Sequence, residues 1–527
     1  MRNFALTITA LCIVWLIAMP VCAGTTVQAY LLPSVYAPST VFSLRANGKP
    51  IPVIGFSKQY DYAAFSVTNG PCELEVTRLD GQPIEHFSIS PLKLGLTGNT
   101  TANTLAFTMN KPAYLIVEVD KLRRLVIAMD LPETDRPVAN GSGIFNITAP
   151  NYGADKSAQS LSSAAIQRAI DDASNNADHH GVVYVPDGVY LTGPLVLKSN
   201  VALYLEPGAV LRFSGKREDF PIHFEKLSQH RKGTWFISTT DGATNIKIFG
   251  RGTIDGDGKQ MIKSMNLLSH VLVPMNCSNF TVDGPIIRDS ALWGTVIARS
   301  DHVTFRNTKH FNFLDMGEDD GIDICESQDV LLEHTIAISL DDSYSFKSWD
   351  LQTDIANHWP GKPEPLHHVV LEDCFAWSRC FGFKVGAGVK QPEDDITVHD
   401  SIVYDAAHGI GISHSYGGAD VRHMLFDTID IERTTCECLG RSWLRIVIDP
   451  RKNGETAGNV FDVQLRNITV RDAGTKPVPI QGLSNENMIH GVTFERIFMP
   501  GKSMPATTLQ ELGIKQTAFA DGTSIQN

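Results

Sequence analysis

The chain has 527 residues and a formal charge of −13, with 43% hydrophobic and 20% charged residues, 42 glycines and 27 prolines. That profile excludes a disordered chain, a collagen and a nucleic-acid-coating protein. The acidic balance disfavours DNA, RNA and anionic membranes as partners, and it makes a strongly anionic polymer a less natural substrate unless local basic residues offset it.

Met1-Arg2-Asn3 opens the chain, a largely apolar run follows from Phe4 to Met19, and Pro20-Val21-Cys22-Ala23-Gly24 closes the segment. A basic start, a short apolar stretch and small residues at Val21 and Ala23 predict a signal peptide over residues 1–23. Cleavage after Ala23 would give a secreted or periplasmic protein, and the loss of Arg2 takes the charge from −13 to −14. Nothing later approaches ~18 consecutive apolar residues, so no membrane span is expected. Of the nine cysteines, Cys72, Cys277, Cys325, Cys374, Cys380, Cys436 and Cys438 follow the signal. Their low density rules out a disulfide scaffold and leaves room for one or more disulfides with at least one thiol over. Cys436-x-Cys438 is too tight and too isolated for a zinc site, which wants four ligands, so no metal is expected.

From residue 24 to 140, short alternating strands stand between turn signals: Cys72-Glu-Leu-Glu-Val-Thr-Arg-Leu, then Asp80-Gly81, then Ala113-Tyr-Leu-Ile-Val-Glu-Val and Leu125-Val-Ile-Ala-Met. Period-2 alternation predicts a small β-sandwich. Leu131-Pro-Glu-Thr-Asp-Arg-Pro137 reads as a linker to a second domain over residues 141–527. That domain begins with one amphipathic helix, Ala164 to Ala173, with Ser162 and Ser163 as candidate caps, and is strand and turn thereafter. Apolar pairs recur in a common frame: Val201, Ile246, Phe280, Val303, Val330, Val369, Ile396, Met424, Val463 and Val492 each open one. The steps from 303 to 330 and from 369 to 396 are both 27 residues, and longer steps leave room for inserted loops. Such a period with no helices predicts a parallel β-solenoid in which each coil buries its inward side chains on the next, the early helix capping the first. The fold class is therefore all-β, a parallel β-helix preceded by a small β-sandwich domain.

Glu318-Asp319-Asp320-Gly321-Ile322-Asp323 and Leu340-Asp341-Asp342 form the densest acidic constellation. Asp341 follows Asp320 by 21 residues, about one coil, so Asp320, Asp341 and Asp342 are predicted to cluster on one face. Glycoside hydrolysis needs such a set, one carboxyl protonated for the leaving oxygen and another ionised to activate water or attack the sugar. Crowding like charges raises one pKa and supplies the neutral acid. Asp pairs that cap turns or bind Ca²⁺ are the bland alternative.

From about Asn151 to Met499 the chain resembles the right-handed β-helix glycoside hydrolases of family 28, the polygalacturonase family, whose fold is pectin-lyase-like. Asn151-Tyr-Gly-Ala-Asp155 is similar to the family's opening, and the run Gly181 to Leu211 and Gly250-Arg-Gly-Thr-Ile-Asp-Gly256 are similar to its first coils. Asp319-Asp320-Gly321-Ile322-Asp323-Ile324 is similar to the family's Asn-Thr-Asp-Gly motif, and Leu340-Asp341-Asp342 to its Gly-Asp-Asp motif. The resemblance implies hydrolysis with inversion and no cofactor, with Asp341 as general acid and Asp320 with Asp342 as the base pair positioning water. Two departures stand out. The family's Gly-His-Gly falls on Cys380-Phe381-Gly382, and its Arg-Ile-Lys on Gly411-Ile412-Ser413, which leaves no cation there for a galacturonate carboxylate. A sandwich before such a helix also resembles family 49, the dextranase and isopullulanase family, which implies a neutral or mixed substrate.

The candidate substrate-binding residues are Phe381, Lys347, Lys384, His408, His414, Trp349 and Arg445. Lys347 and Lys384 are placed to pair with the acidic face, and His408 and His414 either replace the lost basic residues or form a stacked polar ladder. Trp293, Trp349, Trp377 and Trp443 are packing residues or faces on which sugar rings stack, packing being the commoner use of each. The expected partner is a polysaccharide or oligosaccharide substrate, with no nucleic acid, met by a monomer. A β-helix polysaccharide lyase, which would need Ca²⁺ and an Arg or Lys base, and a non-catalytic carbohydrate-binding solenoid are the rival readings.

Overall fold

A computed structural model of the protein describes residues 25–176, 181–351, 354–437, 440–450, 456–515 and 517–526. The segment read as a signal peptide and Cys438 lie outside the described residues. Two five-stranded sheets form the amino-terminal domain. One has the order Val27–Ala29, Tyr60–Val67, Arg124–Asp130, Tyr114–Val119, Phe87–Ser90; the other runs Lys49–Ile51, Phe42–Ala46, Cys72–Arg78, Thr104–Met109, Gly98–Thr101. In Cys72–Arg78 alternation turns Leu74 and Val76 inward, where they meet Phe65, Leu115 and Ile127 of the facing sheet. Tyr60–Val67 and Arg124–Asp130, paired parallel, are instead buried on both faces. Their outer side chains, Tyr60, Tyr62 and Val126 among them, pack on Ile286, Phe311, Ile338, Trp377 and Tyr404 of the second domain.

That second domain is a parallel β-helix whose strands fall into sheets of 23 and 12. The helix over Ser163–Ser174 (α1) buries Ala165, Ile166, Ala169, Ile170 and Ala173 on the first coil and closes its apolar end. Gly181 is required beneath it, because a Cβ there would stand 2.3 Å from the Ala173 carbonyl oxygen. Ser162 occupies the N-cap position without a capping bond; its hydroxyl accepts from the Asp155 N–H at 2.9 Å instead. A second helix, Gly258–Met265 (α2), corrects the expectation of strand and turn alone. It is eight residues long and among them buries only Gly258 and Met261, too brief a pattern for periodicity to register.

The recurring apolar pairs are the actual register of the stack. Ile246 lies against Phe280, Phe280 against Val303, Val303 against Val330, Val330 against Val369, and so on through Ile396, Met424 and Val463 to Val492. Immediately before these pairs the backbone turns left-handed, at Asn200, Asn245, Asn279, His302, Asp329, His368, Asp395, His423 and Asp462, with φ between +51° and +62°. Asn, Asp and His are the non-glycine residues that accept this conformation most readily, which explains their recurrence there. No disulfide joins any two of the six described cysteines, Cys72, Cys277, Cys325, Cys374, Cys380 and Cys436, so the expected disulfide is not found among the described residues.

Polar contacts fix the two domains together. Lys309 Nζ, buried, donates to Asp130 Oδ2 at 2.6 Å and to the carbonyls of Gly284 and Asn307. The Tyr60 hydroxyl donates to the Asn312 carbonyl, and Arg288 Nη1 to the Tyr62 hydroxyl, both at 2.7 Å. Removing one partner of a buried pair leaves an uncompensated charge. Lys309→Met is therefore expected to destabilise the protein by about 3–5 kcal/mol, read as a lower midpoint in chemical denaturation, with a larger effect than Lys309→Met combined with Asp130→Asn.

Candidate active site

Successive strands of the 12-stranded sheet carry the acidic residues. Ile322–Cys325 pairs with Tyr344–Ser348 in the register Ile322 to Tyr344, so a coil here is 22 residues long. Just before these strands the Gly321 N–H donates to the Asp342 carbonyl at 2.9 Å, which sets Asp320 beside Asp342 and Asp341. Gly321 allows this approach, since a Cβ there would lie 2.4 Å from the Ser343 carbonyl oxygen. The Asp341 carbonyl is held from two sides, by the hydroxyls of Ser339 at 2.9 Å and Ser378 at 2.6 Å.

Two buried lysines divide the carboxylates between them. Lys347 Nζ donates to Asp320 Oδ2 and to Asp323 Oδ1, both at 2.6 Å, with the Trp293 ring centroid 3.8 Å away. Lys384 Nζ donates to Asp342 Oδ2 at 2.7 Å and lies 5.0 Å from the centroid of Phe381. Burial pushes the carboxyls of Asp320 and Asp342 above the usual carboxylate range, and the lysine on each opposes the shift. Burial works against the charge of both lysines too, yet the adjoining carboxylates outweigh it and hold them above the ordinary ammonium range. Asp341 differs: it is half-buried, and among the described residues no cation pairs with its carboxylate. Asp319, fully buried, accepts the Leu340 N–H at 2.8 Å, and burial pushes its carboxyl well up.

Part of this set lines a cavity of about 700 Å³. Asp320, Asp341, Asp342, Lys347, Lys384 and Trp349 of the predicted set share it, with Trp293. Four predicted residues sit elsewhere. Phe381 is fully buried, its ring 4.6 Å from that of His408, whose Nδ1 lies 3.0 Å from the Ser442 hydroxyl. His414 is buried with Nε2 2.7 Å from the Ala419 carbonyl oxygen, and Arg445 pairs with Asp449 at 3.1 Å. Trp443 is core, its indole N–H bound to the Leu512 carbonyl.

Sequence reasoning missed the cavity's outer wall. Phe224–Lys226 folds back antiparallel on Arg231–Thr239, and Lys226 at its tip reaches Glu318 at 3.1 Å and Asp354 at 3.3 Å. Asp354 begins a short 3₁₀ turn in the segment between Trp349 and Leu366, and its carboxylate also accepts the Ser228 N–H at 2.8 Å. Two insertions outside the repeat thus meet over the acidic face, and the sequence signals for them are the long steps from 201 to 246 and from 330 to 369. Asp341, Asp342 and Cys380 bring three potential ligand atoms within 4.8 Å of one another. With Lys384 already on Asp342, that set is poorly suited to a further cation.

Residues 180–362 match the model of the Glycosyl hydrolases family 28. An exo-poly-alpha-D-galacturonosidase of Dickeya chrysanthemi is 23% identical over 444 residues, covering 71% of this chain and 70% of that protein. Among solved structures, the polygalacturonase from Erwinia carotovora superposes with a TM-score of 0.54 at 19% identity, over 76% of this chain and all of the other. Dex49A from Penicillium minioluteum superposes with a TM-score of 0.56 at 12% identity, over 95% of this chain and 96% of the other. The chain is a glycoside hydrolase that resembles family 28 across its β-helix, which is right-handed as in those polygalacturonases. Because Gly321 has no room for a side chain, Gly321→Ala should cost about 1–3 kcal/mol by overpacking. It should also lower activity more than that loss of stability explains, since it pushes Asp320 away from Asp342; full activity with an unchanged melting temperature would contradict this geometry.

Proposed function

We propose that the cavity hydrolyses glycosidic bonds in a pectic or neutral polysaccharide, inverting the anomeric centre, with Asp341 as general acid and Asp320 and Asp342 as the pair that holds and deprotonates the attacking water. The observation that carries this reading is the unequal treatment of the three carboxyls. Asp320 and Asp342 each accept from a buried lysine, which favours their ionised form. Asp341 has no such partner among the described residues and faces the cavity. A group that must give a proton to the leaving oxygen gains nothing from a permanent cation; groups that must take one from water do.

The chemistry balances simply. Asp341 passes its proton to the glycosidic oxygen as the bond to the anomeric carbon breaks; water attacks that carbon from the opposite face while Asp320 and Asp342 accept its proton. No cofactor enters these steps. The aromatic faces of Trp293 and Trp349 at the same cavity offer apolar surface for sugar rings. The amino-terminal segment over residues 1–23, read as an export signal, supports action outside the cytoplasm on a polymer too large to be imported whole.

Wild type and Asp341→Asn should be incubated with polygalacturonate, rhamnogalacturonan, dextran and galactan. New reducing ends without new ultraviolet absorbance, reduced about 10²–10⁴-fold in the mutant, are expected; equal rates would remove Asp341 from the mechanism. The lysines give a further prediction with a definite sign. Asp342 must be ionised, burial raises its carboxyl and Lys384 opposes that rise. Lys384→Met should therefore shift the acidic limb of the kcat/KM profile to higher pH, and Lys384→Arg should return it toward the wild-type position.

A further inference from the structure

A second cavity, of about 430 Å³, lies at the seam between the sandwich and the β-helix. Its lining includes five basic side chains, Lys58, Lys121, Arg123, Arg124 and Arg379, against two acidic ones, Asp405 and Glu437. Several of these charges are already satisfied. Arg123 pairs with Asp61, Arg124 with Glu118, and Glu437 with Arg441 outside the cavity. Asp405 is buried and spends its carboxylate on the Thr435 amide and hydroxyl, at 2.9 and 2.6 Å. Lys58, Lys121 and Arg379 are exposed and have no carboxylate within 4.0 Å among the described residues. On a chain of net charge −13, three uncompensated cations around one concavity are an anion site in waiting.

One residue of the cavity's lining is aromatic. Trp377, braced by Tyr60 at 5.5 Å and Tyr404 at 4.9 Å between ring centroids, is 95% buried and still lines it. An aromatic contact beside cationic side chains suits a sugar ring that bears a carboxylate. The volume falls within the 300–1,000 Å³ range usual for small-ligand sites. Position ties it to the acidic cavity. The Arg379 N–H donates to the Leu340 carbonyl at 3.1 Å, one residue before Asp341, and the neighbouring Ser378 hydroxyl holds the Asp341 carbonyl.

We propose that this seam cavity binds a uronate residue of an acidic glycan whose scissile bond lies at Asp341, with Lys58, Lys121 and Arg379 receiving the sugar carboxylate. The site rests on the hydrolytic reading of the acidic cavity for its purpose, and it commits that reading to an acidic rather than a neutral substrate. Both domains build it, so carboxylate recognition absent from Gly411-Ile412-Ser413 is supplied from the sandwich turns and from Arg379.

The test uses the full chain carrying Asp341→Asn, titrated calorimetrically with a galacturonate hexamer and, in parallel, with a neutral galactose hexamer. Lys58→Gln with Lys121→Gln, and separately Arg379→Gln, should each weaken the acidic ligand about tenfold, the size of one lost charge-assisted hydrogen bond, leave the neutral ligand's affinity where it was, and flatten the dependence on salt. In the chain that retains Asp341 the same variants should raise KM for polygalacturonate. Absence of binding by the acidic hexamer, unchanged affinity in the variants, or equal loss for both hexamers would overturn the proposal. Hydrolysis undiminished by Asp341→Asn would instead overturn the catalytic reading, while the binding titrations would still decide the fate of the seam site.

Discussion

In-register stacking of the coils is the constraint on which the site depends. A parallel strand pair places residues one coil apart at the ~4.8 Å inter-strand spacing, so the distance between functional groups is set by coil length rather than by any local motif. From Val303 to Val492 each apolar pair seats on the pair before it, whether the intervening chain is 27 residues or 39. Every insertion therefore has to leave the stack and return to it without changing the register. In the short 22-residue coil from Ile322 to Tyr344, two acidic segments are brought side by side. The fold tolerates the resulting repulsion because the apolar ladder on the inner side of the same strands, Ile322, Ile324, Tyr344 and Phe346, is wholly buried and independent of it.

Repulsion still has to be met locally. Asp319, Asp320, Asp323 and Asp342, on two adjacent coils, are all nearly or completely buried. Isolated charges there would be prohibitive; Lys347 gathers Asp320 and Asp323, Lys384 takes Asp342, and Asp319 accepts the Leu340 N–H. Such pairs add little net stability compared with an apolar wall, because desolvation consumes most of the Coulombic gain. A fold selected for stability alone would have filled this wall with aliphatic side chains. Its charges make sense as an arrangement that holds two carboxyls against lysines and leaves a third, Asp341, without a cation among the described residues.

The sequence made the stack legible because apolar pairing and strand spacing are the same physical fact, and it made the three aspartates legible because their separation was close to one coil. The left-handed residue before each pair was an unused second signal, visible as the recurring Asn, Asp or His in front of an aliphatic couple. What could not be read were contacts between parts that lie outside the repeat. His408 and His414 fall on the right strand, but strand phase decides whether a side chain faces groove or core, and both turn into the core. The hairpin over residues 224–239, the Asp354 turn and the sandwich loops at Lys58 and Lys121 are brought together only by the tertiary fold, with more than a hundred residues between partners such as Lys226 and Asp354.

Charge, too, is arranged by the tertiary fold. A net charge of −13 speaks against a polyanionic ligand only if charge is spread evenly, and here it is not. Many of the acidic side chains sit on the outer ladders and pair with histidines, as Asp329 does with His368 and Asp394 with His423. At ordinary ionic strength the screening length is ~8–10 Å, so these ladders contribute little field at a cavity bounded by the sandwich. What a sugar carboxylate would meet at the seam is governed by Lys58, Lys121 and Arg379 within a few ångströms of it, not by the sum over the chain. Net charge sets solubility and long-range encounter; the sign of the nearest few groups sets what is held.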